Sequence, residues 1–294
     1  MPRERISIML DSDLISRLDS LVDGVEIRNR SHAVERLLDE TLRQHEPKRA
    51  LVFAGGGKVR FGNRRAVKPM VTILGKPILE YLLAELKRNG IFNVTLAVGK
   101  ESEEIRNYFN DGSKFGIRLS YAKEAEPLGT EGALANTLGL MGDAPFFAIN
   151  GDCLFRMEMM GMYLQHIETK ALVTVALTTM TGPLTNALSY ENFGVTKLEG
   201  FRIVEFVENP RRLEGTELFS AGIYVIDPRV ADYISIPREK TMLEESLFPK
   251  LARQGKLYAF LHSGPWHSLD NDRSIETSIA KFAKIILENN MSGL

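Results

Sequence analysis

The first 45 residues carry a hydrophobic pattern of their own. Apolar residues alternate with mainly polar ones over residues 3–10, with the period of two that a β-strand requires. Apolar residues then recur at helical spacing over residues 14–22 and again over residues 33–42. Residues 11–12 (Asp-Ser) and 29–31 (Asn-Arg-Ser) are of types that favour helix starts. The pattern therefore predicts one strand followed by two helices.

A unit of this size is too small to bury a core by itself, because small domains bury a smaller fraction of their surface on folding. A single strand also leaves both of its edges without hydrogen-bond partners. Pairing with a second copy of the chain answers both problems. We therefore predict an obligate dimer in which the two strands form an antiparallel ribbon.

After a polar linker at residues 46–49, short apolar strands alternate with helices through a second domain, residues 50–294. That alternation predicts a largely parallel sheet built from crossover units. Fewer helices separate the later strands, so a mixed sheet or β-rich lobe is expected there. The strands are expected at residues 50–54, 93–98, 118–122, 145–150, 171–179, 193–198, 203–207 and 219–226, and the helices at residues 77–89, 101–109 and 130–141.

The composition is that of an ordinary globular protein. The chain has 294 residues, of which 44% are hydrophobic, and its net charge of −1 argues against a polyanion binder by bulk charge. Its single cysteine, Cys153, excludes an intrachain disulfide and a cysteine-based zinc site, and it fits a reducing compartment. We find neither an apolar signal region at the N-terminus nor a stretch as long as a membrane span, so we expect a cytoplasmic protein.

The strand–helix–helix pattern of residues 2–44 resembles the ribbon-helix-helix family of small DNA-binding modules. In that family a two-stranded ribbon enters the major groove of DNA. The resemblance implies groove-facing side chains at Arg5, Ser7 and Met9, and phosphate contacts at Arg30 and Ser31 where the second helix begins. Palindromic DNA would then be a partner. The alternative is a module that only dimerises.

Glycines and charged residues cluster after strands of the large domain, where ligands sit in open α/β sheets. Residues 53–60 (Phe-Ala-Gly-Gly-Gly-Lys-Val-Arg) form a glycine-rich turn that lets backbone N–H groups approach a base or phosphates. Residues 126–134 (Glu-Pro-Leu-Gly-Thr-Glu-Gly-Ala-Leu) begin a helix whose N-terminus can face an anion or a base edge. Asp152 ends a buried strand, and a second aspartate, Asp270, lies in residues 266–271 (Trp-His-Ser-Leu-Asp-Asn).

Together with Lys68 in Val-Lys-Pro-Met, these segments resemble the sugar-phosphate nucleotidyltransferases, or nucleotide-sugar pyrophosphorylases, over nearly all of residues 50–285. The resemblance implies a nucleotide-diphospho-sugar-transferase-like, Rossmann-like α/β fold, a mixed sheet with helices on both faces. It implies an enzyme that joins a nucleoside triphosphate to a sugar 1-phosphate and releases pyrophosphate. It also implies Mg²⁺ or Mn²⁺ as cofactor, because magnesium favours carboxylates together with phosphate oxygens.

The resemblance also implies a role for individual residues. Arg60, Lys68 and Asp152 are implied as catalytic residues that position and neutralise phosphates, and Asp152 and Asp270 as metal ligands. His267 is expected to be structural, because the attacking phosphate needs no base. The implied nucleotide-binding residues are Ala54, Gly55, Gly56, Gly57, Gly129 and Thr130, and the implied sugar-binding residues are Gly194, Glu208 and Ser220.

Some residues depart from the family pattern. Lys58 and Val59 stand before Arg60 where the pattern has glycine and threonine. Glu131 stands where a small residue is usual, and Asn209 where a lysine meets the sugar phosphate. These changes favour an alternative, a transcriptional regulator whose catalytic-like domain senses a nucleotide sugar or sugar phosphate. A protein that keeps the fold without a ligand is a third hypothesis. We favour the enzyme because both aspartates remain, and we expect a homodimer or tetramer.

Overall fold

The computed structural model describes residues 7–45, 47, 49–55, 58–61, 64–100, 102–124, 126–179, 193–210, 218–234, 240–269 and 275–289. The chain divides into two compact units, Met1–Glu46 and Pro47–Leu294. The helices in the described residues are α1 (Ser12–Ser20), α2 (Arg30–His45), α3 (Ile78–Arg88), α4 (Glu103–Phe109), α5 (Gly129–Met141), α6 (Met159–Thr169), α7 (Leu247–Arg253) and α8 (Ile275–Glu288). The strands are β1 (Arg49–Phe53), β2 (Lys58–Phe61), β3 (Arg64–Val67), β4 (Thr72–Ile73), β5 (Lys76–Pro77), β6 (Asn93–Val98), β7 (Arg118–Lys123), β8 (Phe146–Asn150), β9 (Cys153–Phe155), β10 (Val173–Thr179), β11 (Gly194–Glu199), β12 (Arg202–Glu208), β13 (Leu218–Ile226), β14 (Leu257–Leu261) and β15 (Trp266–Ser268).

The first unit contains the two predicted helices with side-chain caps at their starts. The Asp11 carboxylate accepts the Leu14 N–H at 2.8 Å before α1, and the Asn29 side chain accepts the His32 N–H at 3.0 Å before α2. Residues 7–10, the described part of the predicted strand, are not in a strand, and residues 1–6 lie outside the described residues. A strand needs a hydrogen-bonded neighbour, and one copy of this chain offers none to that segment within the described residues.

The first unit has little core of its own. Among its described apolar residues only Leu18 and Ala33 are buried. Its large apolar side chains that remain exposed are Ile8, Met9, Leu14, Leu21, Val25, Leu37 and Leu38. A surface this apolar on so small a unit is typical of an interaction surface.

The second unit is organised around a nine-stranded mixed sheet with the order β10-β14-β12-β11-β13-β8-β1-β6-β7. The neighbours β8, β1, β6 and β7 are parallel, and β13 joins them antiparallel to β8. The parallel half follows the predicted alternation of strands and helices. The predicted β-rich lobe corresponds to the other half, where strands run in both directions.

Helices cover both faces of the sheet. Successive residues of a strand point to opposite faces, so each strand contributes apolar side chains to both helix-covered cores. Ala50 and Val52 of β1 face a core that contains apolar residues of α3, α4 and α6. Leu51, between them, belongs to the opposite core with residues of α5 and α7. This explains why β1 reads as a continuous apolar run, as strands buried on both faces do.

The hairpin of β2 and β3 was not predicted. Its strands pair antiparallel over four residues each, with Val59 opposite Ala66. Short strands rich in basic residues give no clear apolar period, so the pattern indicated only a turn there. Helices α6, α7 and α8 and the short strands β14 and β15 were also outside the predicted elements. None of the described helices is long and apolar enough to cross a membrane.

Candidate active site

A cavity of about 530 Å³ opens at the carboxyl ends of the parallel strands. Because β8, β1, β6 and β7 are successive neighbours, the cavity-lining Asp152, Gly55, Ala97 and Glu124 follow one another along that edge. Antiparallel β13 continues the edge on the other side of β8 and contributes Ser220. Asp152 therefore lies between two parts of one cavity, one on the β7 side and one on the β13 side, which we call the wings of the cavity.

The structure brings Asp152 and Lys68 together inside this cavity. Gly151 allows the tight turn after β8, because a Cβ there would lie only 2.9 Å from the Phe53 carbonyl oxygen. The Asp152 side chain is 15% exposed, and its Oδ2 atom lies 3.4 Å from Lys68 Nζ. Lys68 begins a short 3₁₀ helix directly after β3. A carboxylate and a cation at one point can hold a metal ion and a phosphate side by side.

The second predicted metal ligand, Asp270, lies outside the described residues. The residue before it is placed next to Asp152, because β15 pairs with β9 and the Leu269 N–H donates to the Asp152 carbonyl at 3.2 Å. Among the described residues no group of three or more His, Cys, Asp or Glu side chains is arranged to hold a metal ion. Asp152 fits Mg²⁺, which typically takes one or two carboxylates together with substrate phosphates and does not need an all-protein cage.

The first residues of the glycine-rich turn, Ala54 and Gly55, lie close to the edge of the sheet. The Ala54 N–H donates to the Ala97 carbonyl at 2.8 Å, and Gly55 lines the cavity. A Cβ on Gly55 would lie 3.3 Å from a neighbouring backbone nitrogen, so a larger residue would fit there only with movement. Gly56 and Gly57 lie outside the described residues, and their predicted nucleotide contacts remain predictions.

The residues after this turn form a hairpin. The backbone of Arg60 lies in β2 opposite Arg65, while the Arg60 side chain lies outside the described residues. Val59 is partly buried and packs against the apolar cluster that contains α8. The departure from the family pattern at Val59 thus has a packing role, and the predicted phosphate contact of Arg60 stays a prediction.

The turn that begins α5 is held against residues 241–246. Gly129 has a φ of +78°, and a Cβ there would lie 2.2 Å from the Thr241 carbonyl oxygen. The Thr130 hydroxyl accepts the Leu243 N–H at 2.9 Å, and the Glu131 N–H donates to the Thr241 carbonyl at 3.1 Å. We expected this helix start to present its N–H groups to a ligand; that expectation is wrong for Glu131, because its N–H is already engaged in the fold.

The Glu131 side chain does not face the cavity. It is 6% exposed and accepts a hydrogen bond from the Ser246 hydroxyl. It therefore anchors the segment before α7. The departure from the family pattern at Glu131 therefore does not place a carboxylate in the cavity, because Glu131 is not among the residues that line it.

Two carboxyl groups line the β13 side of the cavity. Glu244 accepts from the Tyr224 hydroxyl at 2.8 Å and from Thr130 at 3.1 Å, and burial raises its pKa. Glu208 has one buried oxygen, Oε2, without a hydrogen-bond partner among the described residues. Burial, followed by the negative charges of Glu244 and Glu245, raises the pKa of Glu208 to about 8. At neutral pH Glu208 can therefore donate as well as accept hydrogen bonds, which suits sugar hydroxyls.

Two glycines bring the backbone close to these polar groups. A Cβ on Gly194 would lie 2.8 Å from the Glu208 Oε2 atom. Gly222 has a φ of +68°, and a Cβ there would lie 2.7 Å from the Asn150 amide nitrogen. The Asn150 Oδ1 atom is buried and has no hydrogen-bond partner among the described residues. Ser220 accepts a long hydrogen bond of 3.4 Å from the Gly222 N–H and lines the same wall.

Cys153 is among the residues that line the cavity, whereas His267 is not. His267 is 4% exposed, packs edge-on against Phe282 and does not line the cavity, which fits its expected structural role. Cys153 is buried, and its thiol donates to the Ala221 carbonyl at 3.6 Å.

Three charged residues of the cavity, Glu124, Lys240 and Glu244, were not predicted. Glu124 follows β7 at the sheet edge, so its position at a strand end was a signal that could have identified it. Lys240 lines the cavity, and no described residue forms an ion pair or hydrogen bond with it. No signal in the sequence marked Lys240, because only the contacts of residues 241–246 with the Gly129 turn place it there.

The predicted DNA-contacting residues lie in the first unit and are described separately. Ser7 and Met9 are exposed, and Arg5 lies outside the described residues. The Arg30 guanidinium is bound at two points by the Asp19 carboxylate, at 2.5 and 2.6 Å. Arg30 would have to exchange this intramolecular partner for a phosphate. Ser31 is exposed in the first turn of α2.

The sheet order and the cavity at the carboxyl edge define an α/β protein of the nucleotide-diphospho-sugar-transferase-like class. The fold is similar to the crystal structure of HddC from Yersinia pseudotuberculosis complexed with GMP-PN, with a TM-score of 0.65 and 22% identity over 80% of this chain and 99% of the other. This similarity confirms the predicted fold class. The Nucleotidyl transferase family model matches residues 49–282, and the chain belongs to that family.

Curated relatives are similar over most of this chain. Mannose-1-phosphate guanylyltransferase 1 of Arabidopsis thaliana is 30% identical over 79% of this chain and 63% of its own length. Mannose-1-phosphate guanyltransferase beta-A of Xenopus laevis is 30% identical over 81% of this chain and 65% of its own length. The chain thus spans less than two thirds of the length of these relatives.

Proposed function

We propose that this chain is a metal-dependent sugar-1-phosphate nucleotidyltransferase. In this reaction a phosphate oxygen of the sugar 1-phosphate attacks the α-phosphorus of a nucleoside triphosphate. The bond between that phosphorus and the oxygen bridging to the β-phosphate breaks, and pyrophosphate leaves with the electron pair. The observation that carries the proposal is the Lys68–Asp152 pair, 3.4 Å apart, between two wings of one cavity.

The cavity offers each of the two substrates a suitable environment. Lys68 neutralises phosphate charge next to Asp152, where positioning and electrostatics account for most of the catalysis of phosphoryl transfer. Asp152 and Asp270 are the proposed ligands of Mg²⁺ or Mn²⁺, which when bound supplies further neutralisation of phosphate charge. On the β13 side, Glu208 and the backbone at Gly194 offer hydrogen bonds and close approach to sugar hydroxyls.

We propose GTP and mannose 1-phosphate as the first substrate pair to test. The named relatives are guanylyltransferases that act on mannose 1-phosphate, and they cover most of this chain. Lys240 offers a cation to the sugar phosphate in place of the lysine that Asn209 replaces. The departure at Asn209 is then compensated from a different segment of the chain.

The proposal is tested by pyrophosphate release with Mg²⁺ over a panel of nucleoside triphosphates and sugar 1-phosphates. Wild type is compared with Asp152→Asn and with the matched control Asp143→Asn, an exposed aspartate in the turn after α5. We expect turnover in wild type and in the control, and a loss of at least about 100-fold in Asp152→Asn, the scale at which removing one electrostatic group slows an enzyme. Equal turnover in all three proteins would reject the assigned role of Asp152.

The alternative function is a regulator that senses a nucleotide sugar or sugar phosphate without turning it over. The observation in its favour is the small apolar unit joined to a nucleotidyltransferase domain. The sensor is distinguished from the enzyme by measuring the binding of GDP-mannose or GTP by calorimetry and turnover in the pyrophosphate assay. Tight binding without turnover for any substrate pair would favour the sensor.

For the first unit we propose pairing with a second copy of the chain, with DNA binding as a further role. Val25, Leu37 and Leu38 have exposed apolar side chains. A second copy related by a two-fold axis would bury them, because both copies present the same surface to each other. Sedimentation of the intact chain tests the pairing. A gel shift at low salt with Arg5→Ala as the comparison tests the DNA contact, since a dimer that retards no DNA would leave only the dimerisation role.

A further inference from the structure

Two buried carboxyl groups, those of Glu208 and Glu244, share the β13 side of the cavity. Glu244 is 7% exposed, and the Oε2 atom of Glu208 is buried without a hydrogen-bond partner among the described residues. The negative charge of Glu244 opposes the ionisation of Glu208. Two carboxyl groups that share a poorly solvated wall resist ionising together, so one of them keeps its proton near neutral pH.

Hydrogen bonds make Glu244 the member of the pair that ionises. Its Oε1 atom accepts from the Tyr224 hydroxyl at 2.8 Å, and its Oε2 atom accepts from the Thr130 hydroxyl at 3.1 Å. The Thr130 oxygen already accepts the Leu243 N–H at 2.9 Å, which leaves the hydroxyl proton directed to Glu244. Burial raises the pKa of Glu244, and both hydroxyl donors act against that increase. The negative charge of Glu244 is therefore fixed in place by three segments of the chain.

Glu208 is the member of the pair that keeps its proton. Burial, followed by the negative charges of Glu244 and Glu245, raises the pKa of Glu208 to about 8. A protonated carboxyl group donates one hydrogen bond and adds no negative charge to the wall. The other ionisable side chains that line the cavity in the described part of the chain are those of Lys68, Glu124, Asp152, Cys153, Tyr224 and Lys240.

We propose that Glu244 is a positioning residue that acts through Glu208: its fixed negative charge holds a proton on Glu208, which then donates a hydrogen bond to a hydroxyl oxygen of the sugar 1-phosphate. This inference rests on the proposed function, because it requires that the β13 side of the cavity bind the sugar. As the pH rises through the pKa of Glu208, about 8, the residue ionises. The donor is then lost and a second negative charge faces the phosphate, so binding of the sugar 1-phosphate weakens.

The first test is the pH dependence of KM in the wild-type protein between about pH 6 and pH 9. The assay is pyrophosphate release with Mg²⁺, GTP and mannose 1-phosphate, or whichever substrate pair of the panel is turned over. KM for the sugar 1-phosphate should rise by about 10-fold between pH 8 and pH 9, the factor by which one pH unit beyond a pKa changes a protonated fraction. KM for the nucleoside triphosphate should change much less. In Lys240→Ala the rise should remain over the same pH range, which excludes the lysine as the titrating group.

Two variants then test the role of Glu244. Glu244→Gln removes the charge at nearly constant shape, so Glu208 loses its proton at lower pH. KM for the sugar 1-phosphate should be about 3- to 10-fold above wild type at pH 8, while near pH 6 the two proteins should agree. A side chain with a merely structural role would raise KM by the same factor at every pH. Tyr224→Phe removes one donor to Glu244 and no charge, so it should move the profile in the same direction by a smaller amount.

Glu245→Gln is the matched control from the same segment. Glu245 is exposed, so water and salt screen its charge, and its removal should shift the profile by less than Glu244→Gln does. A flat wild-type profile, or variant profiles with the wild-type midpoint, overturns the inference and leaves the proposed function standing. A wild type that turns over no substrate pair overturns both. If Glu244→Gln does not fold, the wild-type and Tyr224→Phe profiles decide the outcome.

Discussion

Gly129→Ala is the substitution whose cost follows most directly from the structure. Gly129 has a φ of +78°, where a side chain costs about 1–2 kcal/mol. The added Cβ would lie 2.2 Å from the Thr241 carbonyl oxygen, a backbone atom that cannot rotate away. Relief of this clash separates Thr241 from the turn.

The separation also breaks hydrogen bonds that hold the two segments together. Thr241 donates to the Leu128 carbonyl at 2.9 Å and accepts from the Glu131 N–H at 3.1 Å. Each such bond contributes about 1 kcal/mol net. With the backbone strain included, we expect a loss of about 3–4 kcal/mol in the free energy of unfolding. For a domain of this size that corresponds to a fall of about 10 °C in Tm.

Gly139→Ala is the matched control in the same helix. A Cβ there would meet no atom within 4 Å, and alanine in a helix interior is favoured over glycine by about 0.5–1 kcal/mol. Scanning calorimetry of the intact chain should show a melting temperature that falls for Gly129→Ala and stays or rises for Gly139→Ala. If Gly129→Ala melts within about 2 °C of wild type, or both variants fall equally, the packing described for this turn is wrong.

Three further expectations concern other parts of the molecule. The pKa of Glu208 is about 8 in the folded protein and 4.5 ordinarily, so its contribution to stability is present at low pH and lost as pH rises between those values. Urea unfolding should therefore show that Glu208→Gln matches wild type near pH 4 but is the more stable protein near pH 8; an equal difference at both pH values would contradict this. Lys240→Ala should raise KM for the sugar 1-phosphate by about 10-fold with a smaller change in kcat, as loss of ground-state binding does, while Lys284→Ala, at an exposed side chain of α8, should leave both unchanged. Leu38→Glu, at a side chain that is 50% exposed, should convert a dimer to a monomer in sedimentation, and an unchanged mass would reject that surface as the interface.

Much of the sheet could be predicted because its strands are apolar on both faces. The run at residues 93–98 was predicted as a strand, and β6 spans Asn93–Val98. The helix expected over residues 77–89 is α3, Ile78–Arg88, which begins after Pro77. Both elements have strong local signals, a buried apolar run in one case and a proline start with a following glycine in the other.

The β2–β3 hairpin and the later helices lack such signals. Residues 58–67 contain several basic residues and no clean period, and Val59 of β2 packs against the distant cluster that contains α8. Helix α6 is rich in methionine, and its pattern did not separate it from the neighbouring strands. The local sequence pattern was insufficient to predict an element wherever a distant segment of the chain supplies the contacts that stabilise that element.

The same distinction applies to the candidate site. Asp152 and Gly55 could be proposed from sequence because ligands collect at the carboxyl ends of parallel strands. Lys240 and Glu244 could not, because they reach the cavity through hydrogen bonds between residues more than 100 positions apart, such as that from Leu243 to Thr130. The structural role of Glu131 could not be predicted for the same reason, since its partner Ser246 lies far along the chain.

This cavity is proposed to transfer a nucleotidyl group to a sugar phosphate. The most direct measurement is ³¹P NMR of the intact chain with GTP, mannose 1-phosphate and Mg²⁺. We expect the resonances of a sugar diphosphate nucleotide and of pyrophosphate to grow in equal amounts, and to be absent with Asp152→Asn. Spectra that stay unchanged, or that show only inorganic phosphate and GDP, would contradict the claim.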